Sequence, residues 1–178
     1  KYFQGSTVDV LDRYYQAAKI YNPEYIVRVT SDCPLIDPEL IDKMIDFTIK
    51  NDFDYVSNVF IPNYPDGQDI EIFKFSALNI ASQNSTSSLE REHVTPYIIK
   101  NSTFNGGNIF KSCLYPEKVN YEKIRMTIDY EEDYDALQYI ISQLGFFKSW
   151  EVYAKFIIEN SEKLYNQKII RNDIYFNS

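Results

Sequence analysis

The sequence predicts an α/β fold with a mostly parallel sheet flanked by helices, and three observations carry that expectation. Apolar residues recur at helical spacing over 8–21 (Leu11, Tyr14, Ala18, Tyr21) and again after Asp37-Pro38 (Leu40, Ile41, Met44, Ile45, Ile49). Short β-branched runs follow each of these stretches, at 25–30 and 55–58. The resulting order of helix, strand, helix and strand, with apolar strands, is the pattern of strands buried under crossover helices. A chain of 178 residues with a hydrophobic fraction of 44% can bury a sizeable core. No internal repeat, low-complexity tract or linker divides it, so residues 1–178 are read as a single domain.

Local chemistry places each element. Ser6 or Thr7 is positioned to cap the first helix, and Asn22-Pro23 stops it. Asp37 caps the second helix with Pro38 at its first position, where the missing N–H costs nothing. Tyr64-Pro65-Asp66-Gly67 is turn chemistry and precedes a strand over 70–75. Ser76 then caps a short helix through Ala81, and the polar run 82–88 reads as a loop. Ser87 with Glu90 three residues later forms a capping box, and the Asn-Gly-Gly at 105–107 marks a turn. A strand is expected over 124–128. A helix containing Tyr134, Leu137, Ile140 and Ile141 begins after Asp129, and a last helix runs over 150–160.

Composition narrows the function classes. The net charge of -8, with no basic stripe, argues against a nucleic-acid partner, because phosphate-binding proteins neutralise charge with Lys and Arg. Anionic small molecules stay open, since a metal ion can supply positive charge locally. Cys33 and Cys113 match no metal-ligand spacing and read as reduced thiols. A single histidine, His93, excludes sites that need two within the chain. No apolar run reaches membrane-spanning length, so no membrane partner is expected and the expected compartment is the cytoplasm.

Carboxylates at strand ends are the main candidates for chemistry. Asp32 follows the strand ending at Thr30, where ligands of open α/β sheets bind. It reads equally as a loop residue satisfying nearby backbone N–H groups. Asp129 also ends a strand, and on its own reads as a helix cap with Glu132 as its box partner. Together the two could converge on a hard cation that keeps several waters and binds substrate phosphates. Asp69 and Glu71 would face the same side of a strand and could accept from sugar hydroxyls, or simply form a solvated edge. Arg91-Glu92-His93 offers no hydrolytic triad, and His93 is read as a surface or interface residue. The 16 tyrosines read as core and interface rather than as a base-stacking platform, because no basic residues interleave with them.

Several segments, in order, resemble one family. They are Asp9-Val10-Leu11-Asp12-Arg13-Tyr14, Arg28-Val29-Thr30-Ser31-Asp32-Cys33-Pro34-Leu35-Ile36-Asp37-Pro38, Asp54-Tyr55-Val56-Ser57-Asn58, Tyr64-Pro65-Asp66-Gly67-Gln68-Asp69-Ile70-Glu71, Arg91-Glu92-His93-Val94-Thr95-Pro96-Tyr97, and Arg125-Met126-Thr127-Ile128-Asp129. The chain is similar to the spore-coat polysaccharide (SpsF) branch of the acylneuraminate cytidylyltransferases, related to CMP-Kdo and CMP-sialic acid synthetases. The resemblance implies a Rossmann-like, GT-A-like nucleotidyltransferase fold that joins CTP to an acidic sugar with release of pyrophosphate, with Mg²⁺ on Asp32 and Asp129, and a likeness to homodimers. It further places Arg28 and Ser31 with the nucleotide, and Gln68, Asp69, Glu71, Glu92, His93 and Arg125 with the sugar. Family members begin with a strand and a Gln-Ala-Arg-x-x-Ser-x-Arg-Leu-Pro-Gly-Lys loop that holds base and triphosphate. No segment here matches it, so the chain reads as truncated at its amino side and weak or inactive alone. Two other classes stay open: a non-catalytic dimerisation or docking module derived from that fold, and a glycosyltransferase. The second would carry Asp-x-Asp after a strand, where this chain has Asp32-Cys33-Pro34.

Overall fold

The computed structural model describes residues 2–59, 63–116 and 120–169. Helix α1 (Val10–Tyr21) starts two residues into the expected stretch, because Asp9 is its cap and accepts the N–H of Asp12 at 2.9 Å. Ser6, expected to be that cap, instead accepts the N–H of Asp9 at 2.9 Å and fixes the approach. Asn22 ends the helix in the left-handed region at φ 46°. Strand β1 (Tyr25–Arg28) stops two residues earlier than expected, where a tight turn closes from the Cys33 N–H to the Thr30 carbonyl.

Asp37 caps α2 (Pro38–Lys50) by accepting the N–H of Glu39 at 2.8 Å. The buried stripe is Leu40, Met44 and Thr48, each one helical turn apart. Ile49, expected inside, is 53% exposed, because the next buried position after Met44 falls on 48 and not on 49. Strands β2 (Tyr55–Ser57) and β3 (Glu71–Lys74) follow, then α3 (Phe75–Asn84), which absorbs the polar residues Ser82 to Asn84 expected in a loop. Lys74, rather than Ser76, occupies its cap position, with no side-chain bond. Helix α4 (Ser88–His93) carries the capping box: Ser87 accepts from Glu90 N–H at 3.2 Å, and the Glu90 carboxylate accepts from Ser87 N–H at 3.3 Å. The chain continues through α5 (Pro96–Lys100), β4 (Ser112–Leu114), α6 (Glu131–Leu144) and α7 (Trp150–Glu159), with 3-10 turns at Thr103–Asn105, Ser161–Lys163 and Tyr165–Lys168.

The sheet order is β1-β3-β2-β4. Lys74 N–H donates to Asp54 carbonyl and Asn58 N–H to Ile70 carbonyl, so β3 runs antiparallel to β2. Phe75 N–H donates to Glu24 carbonyl, and Arg28 pairs with Glu71, so β3 is antiparallel to β1 as well. Strand β4 is parallel to β2, through Asp54 N–H on Lys111 carbonyl and Tyr115 N–H on Ser57 carbonyl. The sheet is therefore mixed: three strands point one way and β3, inserted between two of them, points back. Parallel neighbours need a crossover, usually helical, and the described residues between β2 and β3 contain no helix.

Two compact units emerge from the packing: residues up to Val27 with Ile45–Val56 and Ile72–Leu114, and Arg28–Met44 with Ser57–Glu71 and the described residues from Tyr115 on. The first holds most of the sheet. Adjacent Ile72 and Phe73 on β3 are both buried, so both sheet faces are covered, and the core takes Leu11 and Ala18 from α1, Leu78 and Ala81 from α3, and Ile98 from α5. The second packs Met126 with Leu137 and Ile140 of α6, Trp150, Tyr153 and Ile157 of α7, and Leu164. Tyr134 of α6, expected in that stripe, is exposed, while Asp133 is inside. No helix among the described residues is long and apolar enough to cross a membrane.

Candidate functional site

Two loops of the second unit carry the candidate carboxylates. After β1, one tight turn brings the chain from Thr30 to Cys33 and a second from Cys33 to Ile36, delivering Asp37 to its cap position. Asp32 lies on the first turn, half-buried, beside the exposed Ser31. The other loop is the stretch expected as a strand over 124–128. It makes a single rung instead: Asp66 N–H donates to Ile124 carbonyl and Met126 N–H to Asp66 carbonyl. The ladder ends there because Gly67, at φ 103°, turns the partner chain away.

The backbone of Asp32 laces these loops together. Its carbonyl accepts the N–H of Ile128 at 2.8 Å and the Thr127 hydroxyl at 3.1 Å. Asp32 therefore lies against the residue preceding Asp129. Its carboxylate accepts the Cys33 thiol at 3.6 Å. Burial pushes that thiol up to about 12, with the charges of Asp69 and Asp32 adding to the effect.

Asp129 is not a helix cap. The fully buried carboxylate of Asp133, inside α6, accepts the N–H of Asp129 at 3.0 Å and of Tyr130 at 3.1 Å. The box found here is displaced by one residue from the expected Asp129–Glu132 pair. The Asp129 side chain, 47% exposed, accepts from Arg125 Nη2 at 2.7 Å. The same guanidinium donates from Nε and Nη2 to Asp133 at 2.7 Å each and from Nη1 to Asp66 at 2.8 Å. Burial alone would raise the Asp133 pKa; the bonds from Arg125, the Asp129 N–H, Asn166 and the Tyr130 N–H outweigh it and hold the carboxyl below its usual value. Burial would likewise lower the Arg125 pKa, and bonding to Asp133 and Asp129 raises it instead.

The remaining expected site residues divide. Gln68 is fully buried, its amide donating to Leu35 carbonyl at 2.8 Å and accepting the Asp37 N–H at 2.9 Å. Glu71 is buried and paired with Arg28, whose side chain is mostly buried as well. Arg125 is buried among its three carboxylates. Asp69 is half-exposed, and lies close enough to Cys33 to act on its thiol. Glu92, exposed, and His93, half-buried, stand on α4 in the first unit, whereas the other eight belong to the second. The residues that sequence reasoning missed are Asp133, Asn166 and Gln167. Asn166 donates to Asp133 at 3.1 Å, and Gln167 holds both the N–H and the carbonyl of Arg125 at 2.9 Å.

Among the described residues no group of three or more His, Cys, Asp or Glu side chains is placed to hold a metal ion. Two carboxylates on laced loops suit Mg²⁺, which keeps several waters and takes oxygens from substrate phosphates. Cys33 is a poor ligand as it stands, because its thiol stays protonated.

Comparison with known proteins adds an independent line. The sequence profile described as cytidylyltransferase matches residues 2–174. An uncharacterised protein of Methanocaldococcus jannaschii is 46% identical over 136 residues, covering 74% of this chain and 52% of that protein. The spore coat polysaccharide biosynthesis protein SpsF of Bacillus subtilis is 31% identical over 144 residues, covering 80% of this chain and 58% of that protein. The chain thus spans little more than half the length of these relatives. A solved cytidylyltransferase from Leptospira borgpetersenii serovar Hardjo-bovis superposes with a TM-score of 0.86 at 38% identity, over 95% of this chain and 70% of that one.

Proposed function

We propose, from the premise that the chain belongs to the cytidylyltransferase family, that it transfers CMP from CTP to an acidic sugar with release of pyrophosphate, in surface polysaccharide biosynthesis. The observation that supports the reading is the lacing of the two loops: the Asp32 carbonyl accepts from Ile128 N–H and the Thr127 hydroxyl, next in the chain to Asp129. The biosynthetic setting is supported by the similarity to SpsF.

In this reading a hydroxyl of the sugar attacks the α-phosphorus of CTP in line, and pyrophosphate leaves. Asp32 and Asp129 hold Mg²⁺, which when bound supplies positive charge to the phosphoryl oxygens during transfer. Ser31, exposed on the same turn as Asp32, faces the nucleotide phosphates. Asp69 accepts from sugar hydroxyls. Gln68 shapes its surroundings by tying Leu35 and Asp37, and Glu71 holds Arg28 in place. The setting is the cytoplasm, where CTP is made, and the working form is a homodimer.

Pyrophosphate release from CTP and a panel of acidic sugars by the full-length protein tests the activity. Asp32→Asn and Asp129→Asn are each expected to lower kcat by about a hundredfold or more, the scale of losing one charge-stabilising element. Wild-type activity in either variant would remove that residue from the metal pair. Turnover with neutral sugars alone would overturn the substrate class, and sedimentation of the full chain tests the dimer.

A further inference from the structure

Arg125 is placed to do more than neutralise buried charge. Both N–H groups of Nη2 are engaged, one by Asp129 and one by Asp133, each at 2.7 Å. Nε donates to the second oxygen of Asp133 at 2.7 Å, which closes a two-pronged fork and fixes the plane of the guanidinium. Asp133 is itself pinned by Asn166, and the backbone of Arg125 is gripped on both sides by the Gln167 amide. The face of Tyr130 lies 5.6 Å from the guanidinium carbon. An immobilised donor therefore meets one oxygen of Asp129.

A buried arginine needs its buried partners, and Asp133 and Asp66 already serve that need. The third arm goes to a side chain that is 47% exposed, and an ion pair of that exposure adds little stability. Its consequence is orientation: Oδ2 of Asp129 is held, which fixes the direction of Oδ1. On the reading of Asp129 given above, we propose that Arg125 is a positioning residue, which aims the Asp129 carboxylate at the metal through the fork it makes with Asp133. Lysine cannot replace it, because a single ammonium presents no planar fork.

The test is Mn²⁺ binding to the full chain, read from the electron paramagnetic resonance signal of free Mn²⁺, beside thermal unfolding without metal. Arg125→Lys is expected to weaken Mn²⁺ binding about 10- to 100-fold, the range for residues that orient a metal ligand. In that variant the Mn²⁺ concentration giving half-maximal pyrophosphate release should rise by the same factor, with kcat at saturating metal largely restored. Gln167→Ala keeps every charge and removes the grip on the Arg125 backbone together with one bond to the Asn166 side chain. It is expected to weaken Mn²⁺ roughly threefold, the scale of a lost hydrogen bond, and serves if Arg125→Lys does not fold. A wild-type affinity indifferent to Asp129→Asn overturns the metal reading, and the positioning role with it. An Asp129-dependent affinity that both other variants leave intact overturns the positioning role alone.

Discussion

The carboxylate of Asp133 accepts the backbone N–H of Asp129 at 3.0 Å, and its two oxygens together take three further side-chain bonds from Arg125 and Asn166. Helix α6 is thus started by a residue buried inside it, and the Asp129 side chain goes to Arg125 instead. One carboxylate sets the backbone of the loop, the guanidinium plane and the 3-10 turn at Tyr165–Lys168. Changing it should be felt in all three.

Asp133→Asn is expected to cost about 3–5 kcal/mol, because it leaves Arg125 short of its main buried partner. The change removes a charge and hardly any volume, so packing cannot account for a loss of that size. Urea unfolding of the two proteins measures it. A cost below about 1 kcal/mol would show that Asp66 and Asp129 suffice to hold the guanidinium.

The same residue sets an acid limit. The folded pKa of Asp133 lies below its usual value, so its contribution is complete above the unfolded value of about 3.9. It is lost as pH falls through the lower folded value, where the folded state must take up a proton against Arg125. Unfolding midpoints should therefore fall progressively below about pH 4. In Asp133→Asn that particular slope should be reduced, which a series of urea titrations between pH 3 and 6 would reveal.

Gly67 is the position where the loop can least tolerate a side chain. Its φ is 103°, and an added Cβ would stand 2.6 Å from the Met126 carbonyl carbon and 2.8 Å from Thr127 nitrogen. Both are backbone atoms, so no rotamer relieves the clash, and Thr127 belongs to the lacing on Asp32. Gly67→Ala is expected to destabilise by about 3 kcal/mol or more. Gln68→Leu, which abandons the Asp37 N–H and the Leu35 carbonyl inside the protein, should cost roughly 2–4 kcal/mol. Thermal unfolding reads both, and a neutral Gly67→Ala would mean that the loop has another low-energy path.

What the sequence disclosed follows from how local each signal is. The Asp37-Pro38 start of α2 and the Ser87–Glu90 box depend on residues three or four apart, and both formed as read. The direction of β3 was hidden because it depends on how the chain returns after β2, not on the composition of β3 itself. Spacing alone made Asp129 look like a cap, since the competing box from Tyr130 to Asp133 differs by one residue and is decided by Arg125, buried beside it. Glu71 reads as facing the same side of a strand as Asp69, and Gln68 is assigned to the sugar only through the family resemblance. Their partners, Leu35, Asp37 and Arg28, are thirty or more residues away, and no local pattern reports such a bond.

Cys33 gives a chemical handle on the loop that carries Asp32. Its thiol is buried and pushed up to about 12, so at pH 8 only about one molecule in ten thousand carries a thiolate. Cys113 is half-buried, and burial raises its thiol as well. In the folded protein a thiol-specific disulfide reagent at pH 8 should modify Cys113 first and Cys33 only as the protein opens. The sign of the linkage is opposite to that of Asp133: above about pH 8.5 the unfolded thiol loses its proton while the folded one keeps it. Stability should therefore decline as pH rises from that point toward about 12, and Cys33→Ala should lack that part of the decline. Rapid modification of Cys33 at pH 8 with the fold intact would mean that the turn from Thr30 to Cys33 opens locally, taking Asp32 with it.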